Sequence, residues 1–168
     1  MTFPPRAVVA SSSVPAEELA AGAAPDPEDL LALDRQVCFA LAVASRSVIA
    51  LYRPLLEPMG ITHPQYLVML ALWEESPLSV KQLSGLLRLD PATLSPLLKR
   101  LEAIGYLTRR RDERDERALA VELTAEGRAL RAQALLVPPA IMARLGLSVE
   151  ELEVLHRSLT QVIAAAAP

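Results

Sequence analysis

The chain has 168 residues, with 17 Lys+Arg against 20 Asp+Glu for a formal net charge of −3. That is one ordinary domain, or one domain with appendages. A single cysteine excludes an intramolecular disulfide and a cysteine-rich zinc site, and the acidic total excludes coating nucleic acid by bulk charge while leaving a local basic patch open. Hydrophobic residues make up 52% of the chain and charged ones 22%, more apolar surface than a small monomer needs, so part of it is expected in a subunit interface.

Residues 1–27 are rich in Ala, Ser and Pro and read as a flexible tail. The N-terminus, Met1-Thr2-Phe3-Pro4-Pro5-Arg6, has no continuous apolar core, so a signal peptide is not expected. Charges and prolines break the apolar runs short of the ~18–20 residues a membrane span requires. A reducing, cytoplasmic setting without membrane contact is therefore expected.

From about residue 28 to 58, Leu30, Leu33, Val37, Leu41, Val48, Leu51 and Leu55 recur on one helix face. That pattern fades at Pro54 and stops by Pro58 and Gly60. Thr62 and Pro64 open a second helix with Tyr66, Leu67, Leu70 and Trp73 as its expected buried stripe. A short third helix follows over 79–87. Asp90-Pro91 is an N-cap followed by an N1 proline and opens a fourth helix to Ile104, which Gly105 ends. Leu107, the charged run 109–117, and Leu119, Val121 and Leu123 then alternate as a hairpin with a charged tip. Thr124 caps another helix, expected to run towards Val137 and to be interrupted at Pro138-Pro139. Ser148 and Glu151 form the capping box of a last helix.

Two short helices followed by a hairpin is the order of a winged helix-turn-helix. Thr93 and Ser95 sit in the first turns of the second short helix, where a recognition helix presents side chains to bases, and Lys99 and Arg100 are placed to reach phosphates. The hairpin run 109–117 holds five arginines and four acids. Arginines on a projecting ribbon can enter a minor groove; the same run is also what a solvated charged hairpin looks like. Residues 81–117 hold nine basic and six acidic residues, a local +3 against −6 for the rest of the chain.

Three stretches, Leu33 to Leu41 around Cys38, Tyr52-Arg53-Pro54-Leu55-Leu56, and Thr62 to Leu70, resemble the organic hydroperoxide-sensing branch of the multiple antibiotic resistance regulator (MarR) family, one-cysteine type. So do Leu89-Asp90-Pro91-Ala92-Thr93-Leu94-Ser95 with the helix after it, and the wing Asp115-Glu116-Arg117 followed by Leu123-Thr124. The resemblance covers residues 30 to 131 closely and the C-terminal helices loosely.

It implies a mostly α fold with a small β-hairpin wing, dimerised through N- and C-terminal helices. The expected regions are a tail over 1–27, a dimerisation helix over 28–58, a winged helix-turn-helix over 62–123 and C-terminal dimerisation helices over 124–168. The implied partners are a second copy of the chain, a palindromic operator DNA, an organic hydroperoxide as oxidant, and a small thiol able to form a mixed disulfide. The implied DNA-facing set is Lys81, Asp90, Thr93, Ser95, Lys99, Arg100, Arg110, Arg114, Asp115 and Arg117, with Asp90 capping the recognition helix and pairing with Arg117. No cofactor or metal is implied.

The resemblance places sensing on Cys38. By residue chemistry alone a lone cysteine on an apolar helix is more often a small buried hydrophobe than a sensor. In the matched branch tyrosines of the other subunit hydrogen-bond the sulfur, and Tyr52 matches one of them. Cys38 and Tyr52 are ~21 Å apart along one predicted helix at 1.5 Å per residue, so they could meet only between two chains. The sequence departs from the branch at His63 and Ala42, where the pattern has tyrosine. A protonated His63 would stabilise a thiolate more than tyrosine does and a neutral one less; capping the second helix is its other reading.

Trp73 reads as core, and His156 has no partner at metal-ligand spacing. No paired-histidine motif, phosphate loop or nucleophile elbow is present, so an enzyme is not expected. Two alternatives stay open: a regulator that binds a small aromatic ligand with Cys38 inert, and a protein-interaction module that binds no DNA.

Overall fold

A computed structural model describes residues 31–111 and 119–166. The chain divides into two units, Met1–Val43 and Ala44–Pro168, and each is described by itself.

In the first unit a 3-10 turn, Leu33–Arg35, precedes the start of helix α1, Val37–Leu56. Among the described residues the α-helix expected from about residue 28 begins at Val37. The reason is local: Gln36 is extended and separates the 3-10 turn from α1. Val37, Phe39 and Val43 are exposed.

In the second unit α1 continues through Pro54, which lies in its last turn and cannot donate to the Ala50 carbonyl, and Leu56 is its one buried residue. Nearby, Arg144 Nη1 donates to the Leu51 carbonyl at 2.8 Å. Taken with the 3-10 turn Glu57–Met59, this helix is the one among the described residues long and apolar enough to cross a membrane, 23 residues over Val37–Met59. The expectation that every apolar run falls short of span length is corrected accordingly. Arg46 and Arg53 are too few and too far apart to lower the hydropathy of an Ala- and Val-rich stretch. Gly60, at φ 68°, turns the chain towards helix α2, His63–Glu74. The Thr62 N–H donates to Gln65 Oε1 at 2.8 Å and fixes where α2 starts.

The expected α2 stripe is corrected. Gln65, Tyr66, Val68, Met69 and Leu72 are buried, while Leu70 is 41% exposed and Leu67 and Trp73 are half-buried. The buried face is one helical stripe, Gln65, Val68, Met69 and Leu72 at spacing i, i+3, i+4, i+7 with Tyr66 beside it; it is displaced from the expected one because a polar Gln65 lies within it and the apolar Leu67 and Leu70 lie outside it.

A two-residue strand β1, Leu78–Ser79, precedes helix α3, Val80–Leu87, and helix α4, Pro91–Ile104. Strands β2, Leu107–Arg111, and β3, Leu119–Leu123, form the expected hairpin, and β1 adds to its β3 edge in an antiparallel sheet of order β1-β3-β2. The register pairs Leu107 with Leu123, Arg109 with Val121, and Leu78 with Val121 from the other side. Leu78, Leu83, Leu94, Leu98, Leu101, Leu107 and Val121 are each no more than 2% exposed and form the centre of the core beneath the sheet. This is the mostly α fold with a small β wing that the sequence implied.

The C-terminal part is four helices: α5, Ala125–Ala129; α6, Arg131–Ala134; α7, Val137–Leu145; and α8, Val149–Ala165. The expected break at Pro138-Pro139 is corrected. The prolines stand in the first turn of α7, where a missing N–H costs nothing, and the breaks fall at Leu130 and at Leu135-Leu136. No residue of α8 is buried, and its Val154, Leu155, Val162 and Ile163 are each at least 44% exposed.

Candidate functional site

The segment from α3 to the wing is fixed by reciprocal caps. The Ser79 N–H donates to Gln82 Oε1 at 2.8 Å while the Gln82 N–H donates to Ser79 Oγ at 3.2 Å, which starts α3. Asp90 caps α4 as the sequence indicated: the Thr93 N–H donates to its Oδ1 at 2.9 Å and the Thr93 hydroxyl to its Oδ2 at 2.8 Å. These bonds hold the Asp90 carboxyl below the usual carboxylate range. Thr93 therefore has its hydroxyl proton engaged, leaving its methyl and a lone pair free.

Helix α4 buries Leu94, Leu98 and Leu101. Its other face carries Ala92, Thr93, Ser95, Pro96, Lys99 and Arg100, all exposed, and Lys81 is exposed on α3. The polar site residues expected on these two helices are thus on the solvent side, with no ion pair among the described residues.

The pleat of the wing separates two neighbouring arginines. Arg109 shares a face with Leu107 and the partner Val121, so its side chain lies on the core side. There its Nε donates to Glu102 Oε2 at 2.9 Å, its Nη2 donates to the same oxygen, and its backbone N–H donates to Glu102 Oε1 at 3.2 Å. The Arg109 guanidinium holds the Glu102 carboxyl below its ordinary value. Arg109 ties the wing to α4, a role sequence reasoning missed although the two-residue period contained it. Arg110 is on the opposite face with Thr108 and is exposed. Arg114, Asp115 and Arg117 lie outside the described residues, and so does the expected Asp90–Arg117 pair.

Behind the wing, Gly127 joins three elements. Its carbonyl accepts from Trp73 Nε1 at 2.8 Å, and its N–H donates to Thr124 Oγ1 at 3.0 Å. The Thr124 hydroxyl donates to the Gly105 carbonyl at 2.6 Å, and the Thr124 N–H to the Tyr106 carbonyl at 3.1 Å. A Cβ on Gly127 would stand 1.9 Å from the Tyr106 oxygen. Trp73 is thus a junction residue with a bonded indole, half-buried where the sequence suggested plain core.

Tyr52 and His63 meet edge-on with ring centroids 4.8 Å apart, and Tyr52, Tyr66 and Trp73 continue a line of ring contacts at 6.0 and 6.2 Å. Burial pushes the Tyr52 hydroxyl pKa up and the His63 pKa down from 6.5. At neutral pH Tyr52 therefore keeps its proton as a donor, and His63 is neutral with one N–H. Helix capping falls to Thr62, one residue before His63. A cavity of 590 Å³ beside His63 has apolar walls from Ile49, Leu56, Ile61 and Pro64 and charged residues of both signs, Arg46, Arg53 and Glu57.

Cys38, in the first unit, is a free thiol, exposed in the first turn of α1. Ala42 is exposed one turn on. No cluster of potential metal ligands exists among the described residues.

Comparison with known proteins places this architecture. Residues 50–133 match the family described as transcriptional regulator SarA/Rot. The chain is 42% identical over 131 residues to the organic hydroperoxide resistance transcriptional regulator of Bacillus subtilis (strain 168), covering 78% of this chain and 89% of the relative. Among solved structures it is similar to overoxidized AbfR bound to DNA, with a TM-score of 0.68 and 33% identity over 83% of this chain and 98% of that one. It is also similar to the PcaV regulator of Streptomyces coelicolor in complex with its natural ligand, with a TM-score of 0.72 and 25% identity over 87% and 100% of the two chains. Helix-turn-helix, wing and these relatives agree: the chain belongs to the MarR/SarA family of winged-helix DNA-binding transcriptional regulators, not to a family of enzymes.

Proposed function

We propose that the protein is a homodimeric repressor that binds a palindromic operator and releases it when an organic hydroperoxide oxidises Cys38. Helix α4 enters the major groove with Thr93, Ser95 and Lys99 towards the bases. Lys81, Arg100 and Arg110 contact the backbone, and Arg114 and Arg117 reach the minor groove or brace the wing with Asp115. DNA as the partner sets the location as cytoplasmic.

The observation that carries the sensing half is the state of Cys38: the only cysteine of the chain, free and exposed among uncovered apolar residues at the start of α1. A second copy of the chain covers those residues together with the exposed apolar positions of α8. In that dimer Tyr52 and His63 of the partner subunit stand at the sulfur, each supplying one hydrogen-bond donor. The Cys38 thiolate attacks the terminal peroxide oxygen, the O–O bond breaks as the S–O bond forms, and the alkoxide leaves and takes a proton. Sulfur loses two electrons to give sulfenic acid, and the hydroperoxide is reduced to its alcohol. With no second cysteine, the sulfenic acid condenses with a small external thiol, loses water and leaves a mixed disulfide. The added group at a packed seam shifts the dimer towards a spacing of α4 helices that no longer fits the operator.

The cavity supports a second reading, a regulator that answers to a small aromatic ligand held between its apolar walls, with Cys38 inert. One experiment separates the two: operator release by cumene hydroperoxide, followed by fluorescence anisotropy for wild type and Cys38→Ser. The sensing reading expects release from wild type only. Release from the serine variant sinks it.

A further inference from the structure

Arg88 is the one non-glycine residue among those described whose backbone is left-handed, at φ 51° and ψ 41°. It closes α3 in the turn before α4. Its N–H donates to the Gly85 carbonyl at 3.3 Å, and the next residue's N–H, from Leu89, donates to the Ser84 carbonyl at 3.1 Å. A helix ends this way most easily on glycine, which has no Cβ to crowd the neighbouring carbonyl. The chain itself follows that rule at Gly105, which closes α4, and at Gly146, which closes α7. Only the turn inside the helix-turn-helix breaks it.

Nothing within the described protein explains the exception. The Arg88 side chain is exposed, and the ion pairs among described residues use Arg109 and Arg157 instead. An arginine held in a conformation that glycine adopts more easily, its guanidinium bonded to nothing among the described residues, has its use outside the chain. In helix-turn-helix docking the first helix crosses the DNA backbone while the second enters the groove, so the turn between them runs over phosphates. A guanidinium matches a phosphate with two parallel N–H donors.

We propose that Arg88 is a positioning residue for DNA: it grips a backbone phosphate at the turn and sets the depth and register of α4. The inference rests on the reading of α4 as the recognition helix. Its requirement is for charge and reach at this turn, against the backbone preference of the site.

The test compares wild type with Arg88→Gly and Arg88→Lys. Each is titrated by fluorescence anisotropy against a palindromic duplex selected from a random pool with wild-type protein, over ~50 to 300 mM KCl. Arg88→Gly should reduce the slope of log affinity against log salt by ~1 per protomer and weaken binding roughly tenfold near physiological salt. Its melting temperature should be equal to or above that of wild type, because glycine suits the backbone better. Arg88→Lys keeps the charge and should keep the slope. An unchanged slope in Arg88→Gly, or a slope lost equally in Arg88→Lys, overturns the phosphate contact while leaving the recognition helix in place. Failure of wild type to bind any duplex overturns the recognition reading and this inference with it.

Discussion

Replacing Gly127 by alanine should destabilise the protein by an amount that can be worked from the contacts. The new Cβ would lie 1.9 Å from the Tyr106 oxygen, 2.9 Å from the Tyr106 carbonyl carbon and 3.3 Å from Leu123 Cδ2. Cβ–O contacts do not close below ~3.0 Å, so the start of α5 must retreat from the wing by about 1 Å. That retreat stretches the bonds that cross the gap, Trp73–Gly127, Thr124–Gly105 and Thr124–Tyr106, while the Gly127–Thr124 cap bond moves with the helix. At ~1 kcal/mol net for each bond lost, two to three of them cost about 2–3 kcal/mol, and overpacking adds about 1 kcal/mol. For a chain of this size about 3–4 kcal/mol lowers the melting temperature by roughly 6–16 °C. Thermal unfolding followed by far-ultraviolet circular dichroism measures this, and the fluorescence of Trp73 reports the same junction directly. A melting temperature within about 2 °C of wild type would refute the reasoning, because it would mean that α5 and the wing are not held at this distance.

Two further outcomes follow from the ionisable groups. Because Arg109 depresses the Glu102 pKa below 4.5, the folded state binds fewer protons there than the unfolded one, so the tie stabilises above that value and is lost as pH falls through the folded one. Glu102→Gln should therefore be less stable than wild type at pH 7 and should converge with it on acidification, with faster amide exchange in β2; parallel pH curves would contradict this. His63, lowered from 6.5 by burial, contributes stability that is present above 6.5 and lost as pH falls towards its folded value. Wild type should lose more melting temperature than His63→Gln between pH 7.5 and 5.5, and equal losses would show that the ring stays solvated.

How far the sequence could be read depended on the range of the interaction. Asp90-Pro91 and Gly105 bound α4 at Pro91 and Ile104 because each cap acts within three or four residues. Ser148 opens α8 for the same reason. The alternation of the wing was legible because a strand imposes a period of two. What escaped needs two distant segments at once. The sequence around Gly127 looks like any helix start, and only the approach of Tyr106 makes glycine obligatory. Glu102 and Arg109 sit in different elements. The start of α1 escaped because nothing in the local pattern marks Gln36 as extended, and the α2 stripe because a polar Gln65 lies on the buried face while the apolar Leu67 and Leu70 lie off it. Arg88 carried no signal in the sequence, since a left-handed arginine is known only from its backbone angles.

The central claim is that one sulfur controls one DNA-binding equilibrium. It is tested most directly by measuring both on the same sample: operator-bound protein treated with graded cumene hydroperoxide, its bound fraction read by anisotropy and its Cys38 oxidation by intact mass. The account predicts that release follows Cys38 oxidation through the whole titration and that a thiol reductant restores both together. DNA still fully bound with Cys38 fully oxidised, or DNA released with Cys38 still reduced, would contradict it.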